Sequence, residues 1–249
     1  ARKDAAKALR RLPLLVCLIC TAQSACATGD PFGRHHSPST QITPDKVARL
    51  TPAWTHRNGD MAAEQGAPSS VSAQATPVLL PREAGEHLVY CTPFNRVFAL
   101  DPRSGVERWV YDPQVPRTSE RPYRCRGVVY AEVPQADVAA ACRHRIYTVT
   151  VDRRLIALDA RNGEPCAGFG NRGVVTLVEH ARYGLEKVSS SSAPVVANGV
   201  VVVGSSIIDF GHAEAPRGVI AAYDAETGAP RWTFDPLAGV TATGAGNAW

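Results

Sequence analysis

An excess of either positive or negative charge is missing from the body of this 249-residue sequence. The formal net charge is +4, and residues 1–27 supply all of it, with Arg2, Lys3, Lys7, Arg10 and Arg11 against Asp4 alone. The rest of the chain carries 22 basic and 22 acidic residues. A neutral body removes the electrostatic case for a nucleic-acid partner. Long apolar runs are missing too. The stretch Leu12–Cys20, LPLLVCLIC, falls well short of the ~20 residues that cross a bilayer as a helix. Beyond residue 27 there is no CxxC pair, so zinc ligation has no spacing to support it. No GxGxxG follows a strand and opens a helix, which excludes the common dinucleotide-binding architecture.

What is present starts with a leader. The basic segment runs into LPLLVCLIC and then into small residues, Thr21-Ala-Gln-Ser-Ala-Cys-Ala27. That is the order of an export signal, with a cut expected after Ala27 through Ala25 and Ala27. A buried helix end is the competing reading. Lipidation at Cys26 is disfavoured by Gln23 three places earlier. Residues 1–27 are therefore expected to be a signal peptide or membrane leader, and 28–249 the folded domain. An exported chain can oxidise its cysteines. The four beyond the leader, Cys91, Cys125, Cys142 and Cys166, allow three full pairings. Cys142 and Cys166 flank an expected strand pair and are the expected couple.

The 39 glycines and prolines are spread through the chain, with valine-rich runs between them. Short strands and turns are expected. One pattern recurs three times: Ala-x-Asp, then Gly four residues after the Asp. The anchors are Ala99, Asp101 and Gly105; Ala157, Asp159 and Gly163; Ala222, Asp224 and Gly228. Trp109 and Trp232 follow eight residues after their Asp, whereas the middle copy has Ala167 there and is degenerate. Each copy reads as a hairpin: an apolar strand ends at the Asp, the Asp caps the turn, and the Gly supplies a positive φ. The Trp is placed to dock on a neighbouring unit. Such units bury both faces only by stacking. The expected fold is all-β, a β-propeller with about three blades present. A closed ring needs more, so the chain is expected to be part of a larger propeller. Val47–Trp54 reads as a strand of an earlier partial unit. Asn198-Gly199 reads as a hairpin turn. Asp112–Tyr123 and Leu177–Ser190 read as insertions.

Several words of the sequence occur in a familiar order: Gln41-Ile-Thr-Pro44, Ala75-Thr-Pro77, Tyr90-Cys-Thr-Pro93, Cys125-Arg-Gly127, Arg154-Leu-Ile-Ala-Leu-Asp159, Phe169-Gly170 and Gly218-Val-Ile220. From about Gly33 to Trp249 the chain resembles the N-terminal part of the propeller of the membrane-bound pyrroloquinoline-quinone (PQQ)-dependent dehydrogenases. That family oxidises glucose, quinate and related polyols. The resemblance implies an eight-bladed, periplasmic propeller of the quinoprotein alcohol dehydrogenase type, near or attached to the inner membrane. It implies PQQ and calcium as cofactors, a small sugar, polyol or cyclic alcohol as substrate, and ubiquinone as electron acceptor.

Site residues are implied one by one. Gln74 matches an acidic or amide side chain near the quinone. Arg126 matches an arginine that reaches the quinone's carboxylate and reactive oxygens, where a guanidinium donates two parallel hydrogen bonds and steadies developing charge. Ser191 matches a cofactor-binding hydroxyl. Asp209 matches a carboxylate ligand of calcium, a hard cation that prefers oxygen donors. Trp249 matches the tryptophan floor of the quinone sandwich. The general-base aspartate is expected beyond Trp249. Three departures stand out. Pro122 replaces a histidine near the substrate, which puts glucose-type recognition in question. Phe210 replaces an asparagine after the metal aspartate. The segment Asp30–Pro38 is abbreviated. The alternative function is a non-enzymatic periplasmic scaffold built of similar repeats, since fold does not fix function.

Overall fold

The computed structural model describes residues 40–60, 71–117, 123–134, 140–177, 188–207 and 216–236. The chain divides into a short unit, Ala1–Val47, and a main unit, Ala48–Trp249. All strands among the described residues lie in the main unit. In chain order they are β1 (Val71–Thr76), β2 (Val78–Leu79), β3 (Leu88–Cys91), β4 (Val97–Leu100), β5 (Glu107–Tyr111), β6 (Tyr123–Gly127), β7 (Val129–Glu132), β8 (His144–Val149), β9 (Arg154–Asp159), β10 (Val174–Thr176), β11 (Val188–Ser189), β12 (Val195–Ala197), β13 (Val200–Val203), β14 (Ser206–Ile207), β15 (Ile220–Asp224) and β16 (Pro230–Phe234). No helix among the described residues is long and apolar enough to cross a membrane.

Three four-stranded sheets result, in the orders β2-β3-β4-β5, β7-β8-β9-β10 and β12-β13-β15-β16. Every pairing within them is antiparallel. These are the three blades. The hairpin at Asn198-Gly199 forms as expected, with φ of 49° and 75° at the two turn residues. Two short sheets lie outside the blades: β1 pairs in parallel with β6, and β11 pairs antiparallel with β14.

Period-two alternation explains why no blade stands alone. In β8 and β9, Ile146, Ile156 and Leu158 join a core with Val89, Val97 and Ala99 of the first blade. Their neighbours Tyr147, Val149, Leu155 and Ala157 join a second core with Val201, Ala221 and Tyr223 of the third. Both faces of the middle blade are therefore buried, at about 1.5–3 kcal/mol for each large side chain taken from water.

The repeated Ala-x-Asp…Gly words close the β4–β5, β9–β10 and β15–β16 turns. Asp101 Oδ1 accepts from the N–H groups of Arg103 (3.0 Å) and Ser104 (2.8 Å). Asp224 Oδ1 accepts likewise from Glu226 (3.0 Å) and Thr227 (2.8 Å). In each copy the glycine N–H returns to the aspartate carbonyl at 2.8–2.9 Å. The glycines sit at φ of 73°, 76° and 74°, a conformation that costs a side-chain-bearing residue free energy. They also leave room for a ring. A Cβ on Gly163 would lie 2.5 Å from Trp109, and one on Gly105 would lie 2.6 Å from Trp54. Trp109 Nε1 donates to the Ala160 carbonyl at 3.2 Å and Trp54 Nε1 to the Pro102 carbonyl at 3.2 Å.

The degenerate middle copy is compensated. Phe169 and Val175 fill the space over Gly228, and Gly170 N donates to the Thr227 carbonyl at 2.8 Å. Trp232 is 47% exposed. One expectation fails: Val47–Trp54 is not a strand. Val47–Arg49 form a 3-10 turn and residues 50–58 have no regular structure. Pro52 offers no N–H to a ladder, and the segment docks through side chains instead, with Trp54 taking the interblade place.

Candidate functional site

An up-and-down sheet sends alternate connections to opposite ends. The Asp…Gly turns and the β7–β8 connection lie at one end of the blades. The β3–β4 and β8–β9 turns lie at the other, together with the connections that enter β2, β7 and β12. Gln74, Arg126 and Ser191 sit in those three entering connections. The most legible words of the sequence therefore build the end opposite to these residues.

The three side chains meet. Arg126 Nε donates to Gln74 Oε1 at 3.2 Å, and Arg126 Nη1 donates to Ser191 Oγ at 3.3 Å. The Arg126 backbone N–H donates to the Ser191 carbonyl at 2.9 Å. β6 lies beside β1, with Ala73 opposite Cys125. Its burial alternates: Tyr123, Cys125 and Gly127 are buried and Arg126 is exposed. A guanidinium carries five N–H donors, so two side-chain bonds leave donors for an anion. No described carboxylate forms an ion pair with Arg126. Ser191 itself is buried. A small cleft elsewhere in the main unit is lined by Arg153, Leu177, Val188, Ser190, Val203 and Val219, and none of the three cluster residues lines it. A cation flanked by an amide and a hydroxyl, fixed from three separate connections, suits a carboxylated or oxyanionic ligand.

Asp209, Trp249, Pro122 and Phe210 lie outside the described residues. Among the described residues no group of three His, Cys, Asp or Glu side chains is placed to hold a metal ion.

Two disulfides are formed. Cys142 joins Cys166, with Cα atoms 5.6 Å apart, at the end carrying the Asp159 turn. Cys91 joins Cys125, with Cα atoms 6.0 Å apart, next to Arg126. Sequence reasoning left the second pairing open, because β3 and β6 belong to different sheets and only tertiary packing brings them together.

Other interblade contacts were also illegible. Buried Arg145 donates to the carbonyls of Cys142 (2.7 Å), Ala225 (2.9 Å) and Glu226 (2.7 Å). The Nδ1 and Nε2 atoms of His56 lie 2.6 Å from Tyr90 Oη and 2.7 Å from Glu107 Oε1, pinning the entering segment to the first blade. Asp224 is pulled down to about 2 by Arg231 and by N–H and O–H donors of its turn. Burial, then the charge of Arg161, pulls His144 down. Burial pushes Tyr147 up to about 12.

Fold and site together define a segment of β-propeller with a polar, cationic cluster at one end of its blades. The chain belongs to the PQQ family of glucose/ethanol/alcohol dehydrogenase β-propeller domains, which matches residues 26–249. It is 36% identical over 213 residues to the quinoprotein glucose dehydrogenase of Escherichia coli (strain K12), covering 82% of this chain and 26% of that protein. It is 38% identical over 213 residues to the quinate/shikimate dehydrogenase (quinone) of Acinetobacter baylyi, covering 79% and 25%. To the glycerol dehydrogenase large subunit of Gluconobacter oxydans it is 34% identical over 212 residues, covering 83% and 27%. The chain thus spans about a quarter of the length of these relatives. The fold is shared with a europium-containing methanol dehydrogenase, with a TM-score of 0.56 and 24% identity over 78% of this chain and 28% of that one.

Proposed function

We propose that this chain forms the first blades, and one wall of the cofactor site, of a PQQ-dependent dehydrogenase. The reaction is oxidation of the CH–OH group of a sugar, polyol or cyclic alcohol, with electrons delivered to ubiquinone. The observation that carries the proposal is the meeting of Gln74, Arg126 and Ser191 from three separate interblade connections. A scaffold has no need of that convergence. Bound PQQ would supply the redox chemistry, and a bound calcium ion would supply Lewis acidity.

The chain's own residues bind and orient. Arg126 holds a carboxylate or quinone oxygen through its remaining N–H groups. Gln74 fixes the guanidinium plane through Nε. Ser191 accepts from Arg126 and offers its hydroxyl proton to the ligand rim. Asp209 is proposed as a metal ligand and Trp249 as a flat floor for the ring system, with the general base on an aspartate beyond Trp249. Residues 1–27 are proposed as the leader that takes the chain to the periplasm, beside the inner membrane. Pro122 offers no side-chain hydrogen bond, which favours substrates other than glucose.

The test is equilibrium binding of PQQ, with calcium present, to the full-length protein, followed by dye reduction on a polyol panel. Binding that Arg126→Ala weakens at least tenfold is expected. No quinone absorbance on the reconstituted protein, together with no dye reduction on any polyol, would overturn the proposal and favour the scaffold.

A further inference from the structure

We infer that the Cys91–Cys125 disulfide positions Arg126, so that the cluster with Gln74 and Ser191 depends on this bond while the rest of the fold does not. The inference rests on the site reading above and extends it to a group that touches no ligand. β6 is a five-residue strand outside every blade, and its strand partner, β1, is outside the blades as well. Sheet pairing alone therefore does not tie β6 to a blade. The main chain leads from its C-terminal end through Val128 into β7 of the second blade. The cross-link to the first blade is to Cys91, the last residue of β3, a strand paired on both sides by β2 and β4, with Cys91 buried in the first interblade core.

Strand alternation does the rest. Cys125 points inward and is 2% exposed, while the next residue, Arg126, is on the opposite, exposed face. Holding the sulfur sets the height and roll of β6. Those two quantities decide whether Arg126 Nε and Nη1 reach Gln74 and Ser191. Both contacts, at 3.2 and 3.3 Å, are already at the long side of hydrogen bonding. A shift of a fraction of an ångström breaks them.

The molecule contains its own control. Cys142–Cys166 closes a loop of similar length, with a sequence separation of 24 against 34. It belongs to the other interblade core and to the opposite end of the blades. A purely structural role predicts similar consequences for the two bonds. A positioning role does not.

The experiment compares two variants of the full-length protein, Cys91→Ser/Cys125→Ser and Cys142→Ser/Cys166→Ser. PQQ affinity in the presence of calcium and the urea midpoint are both measured. The first variant is expected to lose affinity at least tenfold. The second is expected to bind as the parent protein does, although both midpoints fall. In an Arg126→Ala background, removing Cys91–Cys125 is expected to cause no further loss of affinity. Equal affinity losses from the two variants would overturn the inference, as would a Cys91/Cys125 loss that persists in full without Arg126. An unchanged affinity in Arg126→Ala would instead refute the site reading itself. If the serine pair does not fold, the parent protein is titrated with dithiothreitol, and alkylation mass spectrometry reports which bond has opened. Affinity must then fall with Cys91–Cys125 and not with Cys142–Cys166.

Discussion

Gly163→Ala tests the interblade stacking against a reference within the same chain. Gly163 and Gly199 have nearly the same backbone, with φ of 76° and 75°. A Cβ at Gly199 meets nothing within 4 Å, whereas one at Gly163 falls 2.5 Å from Cε3 of Trp109. At either site alanine in the left-handed region costs about 1–2 kcal/mol. A gain of ~0.4–1 kcal/mol from the stiffer unfolded chain offsets part of this. Gly199→Ala should therefore destabilise by roughly 0–1.6 kcal/mol. At Gly163 the new methyl must move a ring that is pinned at Nε1 by the Ala160 carbonyl. Overpacking of this kind adds ~1–3 kcal/mol, and losing the indole bond adds ~1 kcal/mol. The expected difference between the two variants is about 2–4 kcal/mol. Urea unfolding measures it, with the Trp109→Ala background completing a double-mutant cycle. Without the ring, Gly163→Ala should fall to the cost of Gly199→Ala. A coupling below ~0.5 kcal/mol would refute the claim that the glycine is there to seat the tryptophan.

Arg145→Met should lower stability by ~2–4 kcal/mol, because three carbonyls at the junction of the second and third blades lose their donor. Arg145→Lys should recover only part of that, since an ammonium lacks the planar fork; denaturant midpoints measure both. Tyr147, pushed up to about 12 by burial, is neutral in the folded state well past the ordinary phenol range. The stability it contributes is full below pH ~10 and is lost as pH rises through ~12, about 2–3 kcal/mol in all. Tyr147→Phe should cost ~1 kcal/mol at neutral pH and flatten the alkaline fall in a pH series of unfolding curves. Opening either disulfide should lower stability by roughly 3–4 kcal/mol from loop length alone, and non-reducing peptide maps should link Cys91 with Cys125 and Cys142 with Cys166, with no other pairing among these four.

The blades were legible because their signals are local. An Asp whose carboxylate caps its own turn and a Gly four residues on need no knowledge of the rest of the chain. Their period is enough to infer stacking. The resemblance carried by Cys125-Arg-Gly127 and Ala75-Thr-Pro77 singled out Arg126 and Gln74, but gave no reason for them to touch. Pro52 shows the converse. A strand-like composition around Trp54 did not make a strand, because a ladder needs partners and N–H groups that this segment does not supply.

By itself, then, the sequence determined the all-β class, the repeated turns, the valine-rich Asn198-Gly199 hairpin and the neutral body of the chain. These follow from residue-level propensities and from spacings of a few residues. Tertiary structure alone decided which glycine receives which tryptophan, that Phe169 and Val175 replace the missing one, that Cys91 reaches Cys125, and that Arg126 is clasped by Gln74 and Ser191. Each of those contacts joins residues tens of positions apart. Their meeting is set by how the blades stack and by which end each connection occupies, and no local pattern encodes either.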